Sequence, residues 1–157
     1  PGTLADLRRT ADLLRAALVA GAAQGALDQT VRHVTERIQF GRPLARFQAV
    51  QQDVALMAGE VAAARAAVDA AVADPCPLAV AVATTQCART AELVATRAHQ
   101  LHGAIGTTLE HSLRSWTTRL WSWPAEWGGE AAGARVLAEA AAAAGGAGLW
   151  PLLSDTV

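Results

Sequence analysis

The residues best suited to chemistry gather in Thr35-Glu36-Arg37-Ile38-Gln39-Phe40-Gly41-Arg42-Pro43. Arg37 offers a planar, permanently charged fork that matches a phosphate oxygen pair. Gln39 adds amide donors. Phe40, one of only 2 phenylalanines, can stack on a flat ring. Gly41 lets the backbone turn tightly before Pro43. The set suits a pyrophosphate held beside a stacked ring. The plainer role for Arg37 is to offset a helix dipole. A second stretch follows downstream, Gln100-Leu101-His102-Gly103-Ala104-Ile105-Gly106, in which a polar residue precedes glycines. Its plainer reading is a helix C-cap and a turn.

Helices must position both stretches. Leu4, Leu7, Ala11, Leu14 and Leu18 recur at alternating steps of three and four, which predicts one long helix over about 4–38 with Thr3 as N-cap. Gly41 and Pro43 break it. Phe47, Val50, Val54, Met57, Val61, Ala64, Val68 and Ala71 keep the same alternation, the seam of a second helix over about 44–73. Asp74-Pro75-Cys76-Pro77 is a turn. A third helix, about 78–101, is apolar on several faces, which suits the centre of a bundle. A fourth covers about 109–123, and an alanine-rich fifth about 130–144. Gly145-Gly146 stops the fifth helix, leaving 146–157 as a loose tail. No strand alternation and no Asn-Gly or Asp-Gly hairpin signal is present. The fold class is therefore all-α: one domain, an up-down four-helix bundle with an additional C-terminal helix.

Composition narrows the function. At 157 residues the chain suits one domain, with 52% hydrophobic and 17% charged residues. A net charge of −1 and the lack of a basic stripe give no support for nucleic-acid binding. No stretch reads as a membrane span, and the start carries no signal-peptide pattern. The chain lacks an initiator Met, as expected of a processed or excised piece of something longer. Cys76 and Cys87 make neither a disulfide framework nor a zinc site, and a cytoplasmic setting fits both. His99 and His102 stand i, i+3, but no further ligands lie nearby, so no metal is expected. The paired Glu-x-x-His motifs of a di-iron bundle are absent.

The span 25–48 resembles, without a gap, the first signature of the C-terminal domain of the acyl-CoA dehydrogenases. Its pattern, Glu-Arg-x-x-Phe-Gly and then Phe-Gln, falls on Glu36, Arg37, Phe40, Gly41, Phe47 and Gln48. The second signature, Gln-x-x-Gly-Gly-x-Gly, is met by Gln100 and Gly103, with Ala104 replacing one glycine. The resemblance implies an FAD-dependent desaturase of acyl-CoA thioesters, in which Arg37, Gln39, Phe40, Gln48, Gln100 and Gly103 reach the FAD of a neighbouring subunit. It further implies a dimer or dimer of dimers, an acyl-CoA substrate, and an electron-transfer flavoprotein as acceptor. The family's base is a glutamate one helix beyond the second signature. Counting without gaps places Trp127 there, beside Glu126. Some members carry the base on the first long helix, where Ala11 matches and Asp12 adjoins. Glu126 and Asp12 are thus the candidate bases, each with solvation as the plainer role. These departures resemble the split, heteromeric acyl-CoA dehydrogenases of actinobacterial sterol side-chain degradation, in which one subunit type lacks the base. The alternative is therefore a non-catalytic subunit that supplies an interface and part of a cofactor pocket. Trp116, Trp121, Trp123 and Trp127 pack either within the core or against another chain or another domain.

Overall fold

The computed structural model describes residues 2–107 and 112–154. Its elements are α1 (Leu4–Glu36), the two-residue strands β1 (Ile38–Gln39) and β2 (Arg42–Pro43), α2 (Gln48–Ala73), α3 (Pro77–His102), α4 (Leu113–Ser122) and α5 (Gly129–Ser154). The all-α reading holds.

Local chemistry explains the helix ends. Thr3 closes a capping box on α1: its hydroxyl accepts from Asp6 N at 3.2 Å, and its own N–H donates to Asp6 Oδ2 at 2.9 Å. Pro77 opens α3 behind the N-cap Cys76. Gly103 closes α3 at φ 62°, where a side chain would be strained.

α3 is central, packing against α1, α2, α4 and α5. Its buried side includes Ala83, Cys87, Ala91, Val94, Ala95 and Ala98. The α2 seam is buried from Met57 through Val61, Ala64, Val68 and Ala71, as its spacing predicts. The face of α1 turned inward is Ala16, Val19, Ala20, Ala22, Ala23, Ala26 and Leu27. The leucine stripe legible in the sequence points out: Leu4 is 86% exposed, Leu14 62% and Leu18 56%. Alanines line the true interface because their small side chains let α1 and α3 approach closely.

Three expectations need correction. The stretch 37–44 forms a hairpin, with Ile38 opposite Pro43 and Gln39 opposite Arg42. Its turn is Phe40-Gly41, both at positive φ (53° and 79°), as a type I′ turn requires. The second helix begins at Gln48 rather than 44, because residues 44–46 form a single 3-10 turn. Gly145 (φ 64°, ψ 179°) bends the last helix instead of stopping it, and residues 146–154, expected to be loose, are helical. The fourth helix begins at Leu113 within the described residues; the expected start near 109 lies outside them.

Candidate functional site

The end of α1, the hairpin and the end of α3 meet at one cavity of about 440 Å³. It is lined by Arg37, Gln39, Gln100 and Gly103, joined by His33, His102, Leu44 and Ala104 among others. The two stretches singled out in the sequence therefore share one space. Arg37 leaves α1 in extended conformation, and Leu44 N donates to its carbonyl at 2.9 Å, lengthening the hairpin ladder. Period-two alternation then puts Arg37 and Gln39 on one side of β1. Both are exposed, and among the described residues Arg37 makes no ion pair.

Phe40 and Gln48 do not line this cavity. Phe40 sits at the hairpin tip, 89% exposed. A bulky residue at positive φ costs on the order of 1–3 kcal/mol and persists where the surroundings impose it. Here Phe47 braces the ring edge-on, with centroids 6.1 Å apart. Gln48 is the exposed first residue of α2. His33 is a lining residue that sequence reading missed. It stacks on His102 with centroids 4.2 Å apart and planes 21° from parallel. Its position one helical turn before Arg37 was the available signal. The His102 Nδ1–H donates to Ala98 O at 2.8 Å, since a carbonyl oxygen can only accept. His99 has other partners, stacked on Trp121 and bonded through Nε2 to Thr117 Oγ1 at 2.9 Å. The described residues hold no group of three possible metal ligands.

A second cavity, about 450 Å³, opens between the start of α1, the start of α3 and α5. Asp12 and Trp127 both line it, with Arg8, Arg9 and Arg135 beside them. Trp127 is buried. Glu126 instead pairs with Arg15 at 3.0 Å on the surface. Asp12 is thus the carboxylate that shares a space with Trp127, half-buried on the inner side of α1. Of the tryptophans, Trp127 is core, Trp116 and Trp123 are half-buried, and Trp121 is exposed.

Cys87 is buried, its thiol pushed up to about 12 by desolvation. It donates to Ala16 O at 3.3 Å, a packing role between α3 and α1. Among the described residues no helix is long and apolar enough to cross a membrane.

Residues 10–129 match the family model "Acyl-CoA dehydrogenase, C-terminal domain". Acyl-CoA dehydrogenase IpdE2 of Mycolicibacterium smegmatis is 39% identical over 120 residues, which cover 74% of this chain and 39% of that protein. The ChsE4-ChsE5 complex from Mycobacterium tuberculosis superposes with a TM-score of 0.80 at 27% identity, over 83% of this chain and 37% of that one. The Tcur3481-Tcur3483 steroid ACAD, solved in a variant form, gives a TM-score of 0.79 at 31% identity, over 83% and 38% of the two chains. The chain thus spans about two fifths of the length of these relatives.

Proposed function

Since the chain belongs to the acyl-CoA dehydrogenase family through its C-terminal domain, we propose that it supplies the helical part of an FAD-dependent desaturase of acyl-CoA thioesters. In that role it contributes to a subunit interface and to the nucleotide end of a neighbouring subunit's FAD. One observation carries the reading: Arg37, Gln39, Gln100 and Gly103, from two distant stretches, line a single cavity.

The residues fit the group. Arg37 presents a guanidinium that no described carboxylate engages. Gln39 and Gln100 add amides to the same lining. At Gly103 a Cβ would meet nothing within 4 Å, so the backbone stands open to a ligand. Ala104 lines the same wall, and its methyl narrows the approach that a second glycine would allow. Phe40 presents an exposed aromatic ring at the hairpin tip. Bound FAD would accept the hydride lost from the substrate. This chain's residues would hold its pyrophosphate and adenosine, and an electron-transfer flavoprotein would take the electrons onward. The exposed leucine stripe of α1 and the edge of Trp121 suit an oligomeric assembly. Arg37→Ala in the assembled flavoprotein tests the reading. Bound FAD per chain is expected to drop, and unchanged flavin content would sink it. Titration of the isolated chain should show weak FAD binding or none; sub-micromolar affinity would contradict the division of the site between subunits.

A second reading is favoured by the other cavity: the chain is the non-catalytic half of a heteromer. The position that matches the family's base is a buried indole, and neighbouring Glu126 is engaged by Arg15. A tryptophan takes no proton from substrate, so the base would come from a partner or from Asp12. Flavin stoichiometry decides. One FAD per two chains, with desaturation only in the mixed complex, supports the heteromer. One FAD per chain, with desaturation by a complex of this polypeptide alone, would return Asp12 to the role of base.

A further inference from the structure

We propose that Arg42 is a second anion-binding residue of the same corner, so that two guanidinium groups, not one, meet the cofactor's pyrophosphate. The inference rests on the FAD reading above and adds a residue to it.

Gln39 is opposite Arg42, and Arg37 is bridged to Leu44 by the Leu44 N–H. Residues paired across antiparallel strands point to the same face, and the face alternates along each strand. Arg37, Gln39, Arg42 and Leu44 therefore share one face of the hairpin, and Ile38 and Pro43 share the other. Three of those four, Arg37, Gln39 and Leu44, line the cavity. Arg42 extends the same row toward the turn, where Phe40 projects.

Arg42 is also held in place. Its guanidinium carbon lies 4.1 Å from the centroid of the Phe47 ring. A guanidinium placed over a ring still carries five N–H donors that can meet an anion. Among the described residues Arg42 makes no ion pair. The same Phe47 ring braces Phe40 edge-on. One side chain thus sets both the aromatic face at the turn and the cation beside it. A pyrophosphate carries two negative centres, and a row of Arg37, Gln39 and Arg42 offers two charges with an amide between them.

The test uses the assembled flavoprotein and the FAD dissociation constant at two ionic strengths. Arg42→Ala is expected to weaken FAD binding roughly tenfold to a hundredfold, the range for losing a charge-assisted contact. It should also flatten the salt dependence, because one screened charge is gone. Weaker binding with an unchanged salt dependence would mean that Arg42 only props Phe47, and would overturn the proposal. Arg37→Ala serves as reference. If Arg37→Ala weakens binding and Arg42→Ala does not, the Arg42 proposal fails alone; if neither does, the cofactor reading itself fails. Coenzyme A carries a pyrophosphate too, so its affinity is measured in parallel. A loss confined to coenzyme A would overturn the assignment to FAD.

Discussion

Gly133 is where α5 rests on α3, and the contact leaves no room for a methyl group. A Cβ built there would lie 2.2 Å from Thr85 Oγ1, 2.9 Å from the backbone oxygen of Ala81 and 3.1 Å from Thr84 Oγ1. Thr85 could rotate away, but it would give up its 2.7 Å bond to Ala81 O. The Ala81 carbonyl belongs to the α3 backbone and stays put. Restoring an ordinary contact of about 3.5 Å requires α5 to lift by roughly 0.6 Å, enough to forfeit about a quarter of the dispersion well for each contact along that seam. Gly133→Ala would gain about 1 kcal/mol of helix propensity if nothing else changed. Overpacking costs about 1–3 kcal/mol, and the 2.9 Å approach to backbone puts this site in the upper part of that range, so the clash wins by about 1–2 kcal/mol. For a domain of this size the net loss lowers the melting temperature by roughly 2–8 °C. Thermal unfolding followed by circular dichroism, with a urea titration in parallel, measures it. A Gly133→Ala chain that melts at or above the parent temperature would refute the packing of α5 on α3. The second cavity would lose its α5 wall with it, since Ala132, Gly133, Arg135 and Val136 line that side.

Gly59 is the opposite case: it is helical and exposed with nothing within 4 Å of its Cβ, so Gly59→Ala should stabilise by about 0.5–1 kcal/mol in the same assay. Iodoacetamide at pH 8 should label Cys76 in the native chain and Cys87 only after unfolding, because burial pushes the Cys87 thiol up to about 12 and only the thiolate reacts. Peptide mass spectrometry reads the two sites separately. The backbone N–H and hydroxyl of Thr3, then Arg9, hold the Asp6 carboxyl below its ordinary 3.8. A depressed folded value means that its stabilisation is present above the unfolded pKa and is lost as pH falls through the folded one. An NMR titration should therefore show Asp6 protonating below 3.8, with Asp6→Asn removing that pH dependence at the α1 start. Met57→Ala should cost about 2–5 kcal/mol as a core truncation, and Leu14→Ala on the exposed stripe within about 0.5 kcal/mol in the isolated chain, both by urea titration.

The helices were legible because three-four spacing is a local property of the chain. The α2 seam was legible as core as well, since Met57, Val61, Ala64 and Val68 are its apolar stripe and also its buried one. On α1 those two properties part. The large residues Leu4, Leu7, Leu14 and Leu18 draw the eye, while the buried face is mostly alanine, which hydropathy weighs lightly. Which face a helix turns inward depends on its neighbours, and spacing alone carries no record of them. The hairpin escaped for a different reason. Its turn puts Phe40 rather than Asn or Asp at positive φ, against the side chain's own preference, so no local signal announces it. At the site, Arg37, Gln39, Gln100 and Gly103 could be named from the sequence, but their meeting depends on α1 and α3 ending side by side. His33 was within reach of helical pitch alone, one turn before Arg37, whereas Arg42 needed strand register, which follows only from the folded backbone.

Alanine is the commonest residue in the described core, and this shapes how the domain can change over generations. A core of leucines and valines can drift, because one side chain enlarges while a neighbour shrinks and the total volume holds. At an alanine seam such as Ala16, Ala20 and Ala23 against α3, nothing apolar is smaller except glycine, which loosens the helix, and anything larger forces the helices apart. The least conspicuous residues of the chain are then its least replaceable ones. The outward leucines, more visible in the sequence, are left free within this chain to vary with whatever surface they meet.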